Sequence, residues 1–298
     1  MSDETTDPAT EIFVTHRNLL FTVAYEMLGS AADAEDVLQE TWLRWVKVDL
    51  EQVREKRAYL VRITTRQSLN RLRTMKRRRE AYVGPWLPEP LLTAPDVAEN
   101  VELAESVSMA VMLVLETLSP TQRAVFVLRE VFDVSYDEIA AAVDKTPSAV
   151  RQIAHRARQH VEDRRPREVV SERETREALE SFQHALESGD LQGLLDVLAP
   201  EVVLVGDGGG VKQAALRPIT GAERVVRTIT GGLGRDEGTF TARPTVINGN
   251  PALLVRRDNE IDGVMAIRVE DTRVTGIYYV RNPEKLSRIE SETRLTLD

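Results

Sequence analysis

The sequence predicts a multidomain protein in which two all-α domains are followed by a C-terminal α+β domain. Apolar residues recur at helical spacing over residues 11–80 and again from about residue 97 to residue 164. Between these blocks the segment Gly84–Pro95, GPWLPEPLLTAP, holds four prolines, which end a helix because proline has no backbone N–H. Beyond Pro200 the apolar period changes to two, as is typical of strands.

The composition excludes several kinds of site. A chain of 298 residues is long enough for two or three domains. It has no cysteine, which excludes disulfides, thiolate metal sites and a cysteine nucleophile, and four scattered histidines do not favour a zinc site. The N-terminus lacks the basic start and apolar core of a signal peptide, and no stretch of eighteen apolar residues is present. We therefore expect a cytoplasmic protein without membrane association, metal or cofactor.

Charge is sharply segregated along the chain. The net charge is −9, yet residues 54–79 carry eleven Lys or Arg residues against the single acid Glu55. Residues 80–118 carry seven acids and no base. This distribution indicates a basic surface for phosphate, with acidic surfaces facing elsewhere.

Helix signals divide the first block into three helices. The first, from about residue 11, is ended by Gly29, and Ser30 opens the second. The third runs from about Lys56 to Arg79. The linker that follows is apolar at Trp86 and Leu87, and an apolar linker usually docks. Docking on its own domain and a contact between domains are both open.

Residues 135–161, SYDEIAAAVDKTPSAVRQIAHRARQHV, predict a helix-turn-helix. Ser135 and Glu138 form a capping box at the first helix, and Thr146 caps the second, with Pro147 at its first position. The polar face of the second helix carries Ser148, Arg151, Gln152, His155, Arg156 and Arg158. Such side chains can donate to phosphates and to base edges in a major groove, which indicates DNA binding. The alternative is an αα-hairpin with a solvated basic face.

The C-terminal part predicts two helices, at about 172–187 and 190–198, and one more at about 221–233. The predicted strands are Val202–Gly206, Phe240–Ile247, Ala252–Arg256, Gly263–Val269 and Val274–Arg281. This order is typical of an α+β domain with helices against one face of an antiparallel sheet.

Several motifs together carry a family resemblance. DAEDVLQETWLRW at Asp33–Trp45, AYLVRITTRQSLNRLR at Ala58–Arg73 and LSPTQRAVFVLREVFDVSYDEIAAAVDKTPSAVRQIAHRAR at Leu118–Arg158 resemble, in this order and spacing, regions 2 and 4 of the extracytoplasmic-function sigma factors of bacterial RNA polymerase. The motifs WLPEP, DGGG and NPEKL resemble the subgroup with a fused SnoaL-like domain. That domain is similar to the nuclear-transport-factor-2-like cone, a curved sheet holding a pocket.

The resemblance implies four parts. They are sigma region 2 at 10–80, which would bind core polymerase and the −10 element, a linker at 81–98, sigma region 4 at 99–166, which would bind the −35 element, and a SnoaL-like regulatory domain at 167–298. The implied partners are core RNA polymerase, through its β′ and β subunits, and promoter DNA. Polar contacts with the β′ coiled coil would come from Asp36, Gln39, Glu40 and Arg44. Two acids and a glutamine on one face suit a basic partner helix, and the alternative is a solvated face.

The resemblance also implies which residues bind promoter DNA. The −10 element would be held by Arg62, Arg66, Asn70, Arg73 and Lys76. Arg66 stands where many relatives carry asparagine, which leaves the base preference open, and the run Lys76–Arg79 is expected to touch phosphate. At the −35 element, Arg151, Gln152 and His155 are expected at base edges and Arg156 and Arg158 on phosphates, with Ser148 as a further contact.

The C-terminal domain admits two interpretations. Catalysis is disfavoured, because His184 lies on an amphipathic helix face and Asp207 precedes three glycines and is expected to shape a turn. The other interpretation is a regulator in cis, helped by the high effective concentration of an attached domain. Its switch surface would comprise Trp86, Leu87, Pro88, Glu89, Pro90, Asp207, Gly208, Gly209, Gly210, Asn282, Pro283, Glu284, Lys285 and Leu286. A small-molecule ligand in the cone would act by its differential affinity for two states.

Two alternatives differ in class. A one-component helix-turn-helix regulator with a ligand-sensing domain would not need Asp33–Trp45 or the basic 54–79 segment. An enzyme with an accessory DNA-binding part would need a coherent catalytic site. Capture of core polymerase discriminates the first alternative from a sigma factor.

Overall fold

The computed structural model describes residues 7–94, 97, 100–164, 171–233 and 239–297. The chain divides into two compact units. The first comprises Met1–Glu80, Val111–Arg164 and Arg294–Asp298, and the second comprises Ala81–Ala110 and Arg165–Thr293. Neither unit is continuous along the chain, and each is described separately below.

Three helices form the first part of unit one. They are α1 (Pro8–Leu28), α2 (Ala31–Trp45) and α3 (Lys56–Glu80), with a short 3-10 turn at Leu50–Gln52. Gly29 ends α1 in the left-handed region at φ 65°, which glycine adopts without strain. The Ser30 hydroxyl accepts from the Asp33 N–H and caps α2. The three predicted helices are confirmed.

The remainder of unit one holds the predicted helix-turn-helix. Its helices include α6 (Pro120–Phe126), α7 (Tyr136–Val143) and α8 (Pro147–Glu162). The predicted helix after Ser119 is interrupted at Val127–Val131 by a π-helical turn, where the Phe132 N–H donates to the Val127 carbonyl. The capping boxes of Ser135 with Glu138 and the Thr146 cap are confirmed.

A buried arginine joins the two parts of unit one. Arg123 on α6 is 2% exposed and donates from Nε and Nη2 to the Glu26 carbonyl on α1, at 3.0 and 2.8 Å. Glu116 pairs with both Arg123 and Arg79. Burial, chiefly, lowers the pKa of each arginine to about 9, so both remain charged at neutral pH.

This network changes the interpretation of the Lys76–Arg79 run. Arg79 donates to the Leu28 carbonyl at 2.7 Å and pairs with Glu116. The expectation that Arg79 touches phosphate is therefore wrong for this conformation, because its guanidinium is used inside the unit. The side chain of Lys76 lies outside the described residues.

Unit two is a sheet packed against helices. It contains α4 (Val101–Ser106), α9 (Glu172–Ser188), α10 (Leu191–Val197) and α11 (Ala222–Leu233), and α5 (Met109–Leu115) begins in it. The strands are β1 (Leu198–Asp207), β2 (Ile219–Thr220), β3 (Phe240–Ile247), β4 (Asn250–Arg257), β5 (Glu260–Glu270) and β6 (Arg273–Val280). Phe182 on α9 and Val225 on α11 are fully buried against inward residues such as Leu253 and Ile277.

The sheet of the described residues has the order β2-β1-β6-β5-β4-β3. The expected α+β class is confirmed, but the expectation of a purely antiparallel sheet is wrong. β1 and β6 pair in parallel, with Leu204 opposite Ile277. A parallel pair needs a long connection, and here all the other strands supply it. The register shifts between Leu198 and Val203, around Pro200, which cannot donate to a ladder.

The apolar linker packs within unit two. Leu87 is 0% exposed and Leu91 is 1% exposed. The Leu91 N–H donates to Oδ1 of Asn248 at 2.8 Å, and the Asn248 N–H donates back to the Leu91 carbonyl at 2.9 Å. The Thr293 N–H donates to the Leu92 carbonyl at 2.7 Å. The segment is thus fixed by backbone pairing rather than being a plain spacer.

Candidate functional site

The helix-turn-helix presents its polar residues outward. Val150, Ala154, Ala157 and Val161 of α8 are buried, whereas Ile153 is half-buried. The six residues expected to contact the −35 element are all exposed: Ser148, Arg151, Gln152, His155, Arg156 and Arg158. The cap and Pro147 fix where α8 begins, and therefore which residues its first turns present.

Two of these arginines have intramolecular partners. Arg158 makes a two-pronged ion pair with Glu130, at 3.0 and 2.7 Å, and this pair raises the pKa of its guanidinium. The guanidinium of Arg151 lies 5.4 Å from the ring centroid of Tyr136. Because Glu130 already binds the guanidinium of Arg158, a DNA phosphate would have to compete with this carboxylate for the arginine.

The residues expected at the −10 element share one side of α3. Arg62 lies over the ring of Tyr59 at 4.6 Å, and Arg73 donates to the Asn70 side-chain oxygen at 3.1 Å. Lys76 lies on the same helix, but its side chain is outside the described residues. The α3 surface therefore offers cations beside an aromatic ring, as single-strand binding uses.

Arg66 is engaged by the helix-turn-helix itself. Its Nη2 donates to the Ala141 carbonyl at 2.8 Å and to Oδ1 of Asp144 at 2.9 Å, and its Nε donates to the Ala142 carbonyl at 3.3 Å. Asp144 ends α7 in the left-handed region at φ 53°. A cation at a helix C-terminus satisfies carbonyls that have no partner within the helix. In this conformation one candidate residue for the −10 element is held by the helix-turn-helix.

The face of α2 expected to contact polymerase is largely exposed. Gln39 and Glu40 are exposed, and Arg44 reaches the Gln67 side-chain amide. Asp36 pairs with Arg71, which also binds Asp33. The sequence reasoning missed one residue of this face, Leu43, which is 59% exposed. In the sequence Leu43 stands between Trp42 and Arg44, and whether it points outward depends on the phase of the helix.

The motifs WLPEP, DGGG and NPEKL meet at Asp207. This carboxylate is 0% exposed. It accepts from the Tyr82 hydroxyl at 2.5 Å, the Leu87 N–H at 2.9 Å, the Gly209 N–H at 3.1 Å and Lys285 Nζ at 2.7 Å. We call these five residues the Asp207 hub. The Gly209 contact is a turn of the expected kind.

Lys285 is the cation of the hub. Its Nζ donates to the Leu87 carbonyl at 2.5 Å and lies 3.9 Å from the ring centroid of Trp86. Burial and hydrogen bonding to Asp207 raise the pKa of Tyr82, so its hydroxyl stays protonated as a donor. A buried ion pair of this kind is favourable only when its remaining lone pairs and protons are satisfied, and here the linker supplies the partners.

Close packing explains the glycines of the turn. A Cβ on Gly209 would lie 2.4 Å from the Asn282 side chain, and one on Gly208 would lie 2.0 Å from the Lys212 carbonyl. Gly210 has φ 75°. Pro88, Glu89, Pro90, Asn282 and Leu286 are buried, and Pro283 and Glu284 are exposed. The motifs thus form an interior junction more than the expected surface.

A cavity of about 640 Å³ lies within unit two. At its polar end Asp262, 3% exposed, accepts from the Tyr279 hydroxyl at 2.6 Å and from Arg281 Nη2 at 2.7 Å. Burial alone raises the pKa of Asp262, but these hydrogen bonds and the nearby Arg281 and Lys212 charges outweigh it and hold the pKa below its usual value. Sequence reasoning missed this group, because Asp262 stands just before the predicted strand Gly263–Val269, whereas in the structure it lies near the start of β5.

The remaining features of the described residues concern His184, metal sites and membrane-spanning helices. His184 is exposed, which confirms its interpretation as a surface residue. Within the described ranges no group of three acidic or histidine side chains is placed to hold a metal ion. None of the described helices has the length and apolar character needed to cross a membrane.

Comparisons with known proteins then decide the family. Residues 12–79 match the model of Sigma-70 region 2, and residues 108–161 match that of Sigma-70, region 4. ECF RNA polymerase sigma factor SigJ of Mycobacterium tuberculosis is 35% identical over 92% of this chain and 92% of its own. The chain belongs to the extracytoplasmic-function sigma factors. The family binds RNA polymerase and directs transcription, and its members are not enzymes.

Two further similarities extend over more than nine-tenths of this sigma factor. The probable ECF sigma factor SigI of M. tuberculosis is 30% identical over 96% of this chain and 97% of its own. The crystal structure of M. tuberculosis SigJ superposes with a TM-score of 0.76 at 31% identity, covering 94% of this chain and 99% of that one. The similarity therefore includes the sheet domain as well as the sigma regions.

Proposed function

We propose that the C-terminal domain of this sigma factor modulates promoter-specific initiation in cis, through the linker. The observation that carries the proposal is the Asp207 hub. Leu87 and Tyr82 follow α3 directly along the chain, and both bind Asp207. A change in the sheet domain at Asp207 or Lys285 would therefore disturb the linker segment that follows region 2 along the chain.

The exposed face of α2 is the proposed polymerase-binding surface. Gln39, Glu40 and Arg44 supply polar contacts to the β′ coiled coil, with Asp36 at the edge of the face. Leu43 supplies the apolar contact, because interfaces combine a desolvated centre with a polar rim. The β subunit is the second polymerase partner that the family resemblance implies. With RNA polymerase as its partner, the protein would act in the cytoplasm.

Promoter DNA is the second proposed partner. Arg62, Asn70 and Arg73 on α3 are assigned to the −10 element, and the exposed face of α8 to the −35 element. Arg66 joins the −10 surface only after it leaves Ala141, Ala142 and Asp144. The contact therefore defines a closed form of unit one that polymerase or DNA must open.

The test uses point variants of the full chain. A chain stopped near residue 167 would lack the sheet that packs Leu87 and Leu91, so truncation removes more than regulation. Lys285→Met and Asp207→Asn break the hub, whereas Glu290→Gln removes an exposed partner of Arg256 in the same unit. We expect only the hub variants to change the rate of transcription in vitro. The amount of holoenzyme that they form should equal that of the wild type. Folded hub variants with wild-type activity would contradict modulation through the linker.

A further inference from the structure

The cavity of unit two combines a charged end with an apolar wall. Its volume of about 640 Å³ falls in the range of small-molecule sites, roughly 300–1,000 Å³. We propose that it binds an organic anion, a small molecule with one carboxylate or phosphate on an apolar body. Binding itself is independent of the function proposed above.

The charged end is fixed before any ligand arrives. Both oxygens of Asp262 have donors: Oδ1 accepts from Arg281 at 2.7 Å and Oδ2 from the Tyr279 hydroxyl at 2.6 Å. Lys212 Nζ lies 3.6 Å from Oδ1. Arg281 also donates to the Gln213 carbonyl. The acid that could have received a cationic ligand is therefore already neutralised by the chain's own cations.

The excess of positive charge in the cavity lining favours an anionic ligand. Among the described residues that line the cavity, Asp262 is the only acid. The cations that line it are Lys212, Arg227, Arg257 and Arg281. A cleft with an excess of one sign in low-dielectric walls concentrates ligands of the opposite sign. Arginine and lysine in such a setting bind carboxylate or phosphate by charge-assisted hydrogen bonds.

The apolar part of the cavity lining requires an apolar body. It is formed by Leu186, Leu204, Ile229, Phe240 and Met265. A bare inorganic ion would leave these side chains facing water, so the ligand needs a hydrocarbon part that covers them. Met265 on β5 pairs with Tyr279 on β6, which places apolar and polar walls on neighbouring strands.

The cavity and the hub share backbone. The Arg281 N–H donates to the Asp207 carbonyl at 2.7 Å, and the Asn282 N–H donates to the same oxygen at 3.0 Å. A ligand that moved Arg281 would act on the backbone of Asp207, a residue of the hub, through this hydrogen bond. This regulatory consequence rests on the proposed function, whereas the ligand class does not.

The experiment is a titration of full-length protein by calorimetry with three matched probes. They are 2-naphthoate, 2-naphthyl phosphate and the neutral 2-naphthamide. We expect at least one anion to bind about tenfold or more tighter than the amide, since each hydrogen bond to a charged group adds that order of affinity. Which anion binds identifies the head group. Equal affinity for all three, or no binding of either anion, would overturn the proposal.

Two variants locate the site. Lys212→Gln, at a partly exposed position, is expected to weaken anion binding about threefold or more and leave amide binding unchanged. Arg224→Gln is the matched control, because Arg224 is exposed on α11 outside the lining residues. An equal effect of both substitutions would place the anion elsewhere. If Lys212→Gln leaves anion binding unchanged while the hub variants change transcription, this site is refuted and the proposed function still stands.

Discussion

The guanidinium of Arg66 on α3 lies 2.9 Å from the carboxylate of Asp144, the residue that ends the first helix of the helix-turn-helix. Two carbonyls of α7 complete the contact. Unit one thus contains both proposed DNA-binding elements, and one side chain of α3 is bound to the turn of the helix-turn-helix.

Asp144→Asn is expected to raise promoter affinity of the free protein. The pair is exposed on both sides, so it contributes only about 0–1 kcal/mol, an effect of up to about fivefold. Fluorescence anisotropy with a labelled promoter duplex measures it. Removing any acid near DNA also helps binding, so Asp137→Asn, exposed at the other end of α7, is the control. Equal gains for both variants would show that the Arg66 contact does not restrain binding.

Arg151→Ala is expected to relax one position of the −35 element and to cost about 1–3 kcal/mol. Arg156→Ala is expected to weaken binding uniformly across sequences and to reduce the salt slope by about one. A binding selection with randomised −35 sequences measures both. An unchanged −35 preference of the Arg151 variant would refute its assignment to a base edge.

Leu43→Ala is expected to weaken core polymerase binding by about 1–2 kcal/mol without changing the unfolding midpoint. The reason is that the side chain is 59% exposed in this structure and loses contact only in the complex. Val14→Ala on α1, 62% exposed, is the matched control. If both variants bind core polymerase like wild type, α2 presents a different contact surface.

Lys285→Met is expected to destabilise unit two by about 3–5 kcal/mol, because it leaves the Asp207 charge buried without its cation. Denaturant unfolding measures the loss. Adding Asp207→Asn should recover part of it, and the double-mutant cycle gives the coupling. Arg173→Met, which removes an exposed i,i+4 pair with Glu177, should leave the midpoint unchanged. Independent effects of the two hub substitutions would argue against a coupled pair.

Asp262 gives an acid dependence with a defined sign. Its pKa in the folded protein lies below the ordinary value of 3.8. Its ion pair therefore contributes fully above about pH 5, and the contribution is lost as pH falls below the ordinary value. The difference in unfolding free energy between wild type and Asp262→Asn should shrink over that interval. A difference independent of pH would mean that the folded and unfolded pKa values are equal.

Local signals predicted the parts of this fold that depend on neighbours in sequence. The caps at Ser30, Ser135 and Thr146 and the stop at Gly29 are set by side chains within three or four residues, so they were readable. Parallel pairing of β1 with β6 was not, because it joins residues about seventy positions apart. The same limit applied to the cavity: Asp262, Tyr279 and Arg281 are brought together by strand register.

The site residues divide in the same way. The exposed face of α8 follows from its cap and periodicity. The engagement of Arg66 and the partial burial of Arg79 could not be foreseen, since both depend on how α3 packs against other parts of unit one. Likewise the motifs around Asp207 suggested a surface, whereas burial of the carboxylate turned them into a junction.

The linker's partners are separated from it by long stretches of chain. The Leu87 N–H binds Asp207, 120 residues later in the chain, and the Leu87 carbonyl binds Lys285, 198 residues later. The Leu91 N–H binds Asn248, 157 residues later. During synthesis on the ribosome, these leucines therefore stay exposed to solvent until the last strands emerge. Nascent chains stalled in the sheet domain would present an adhesive apolar segment, a hazard that chaperones exist to manage.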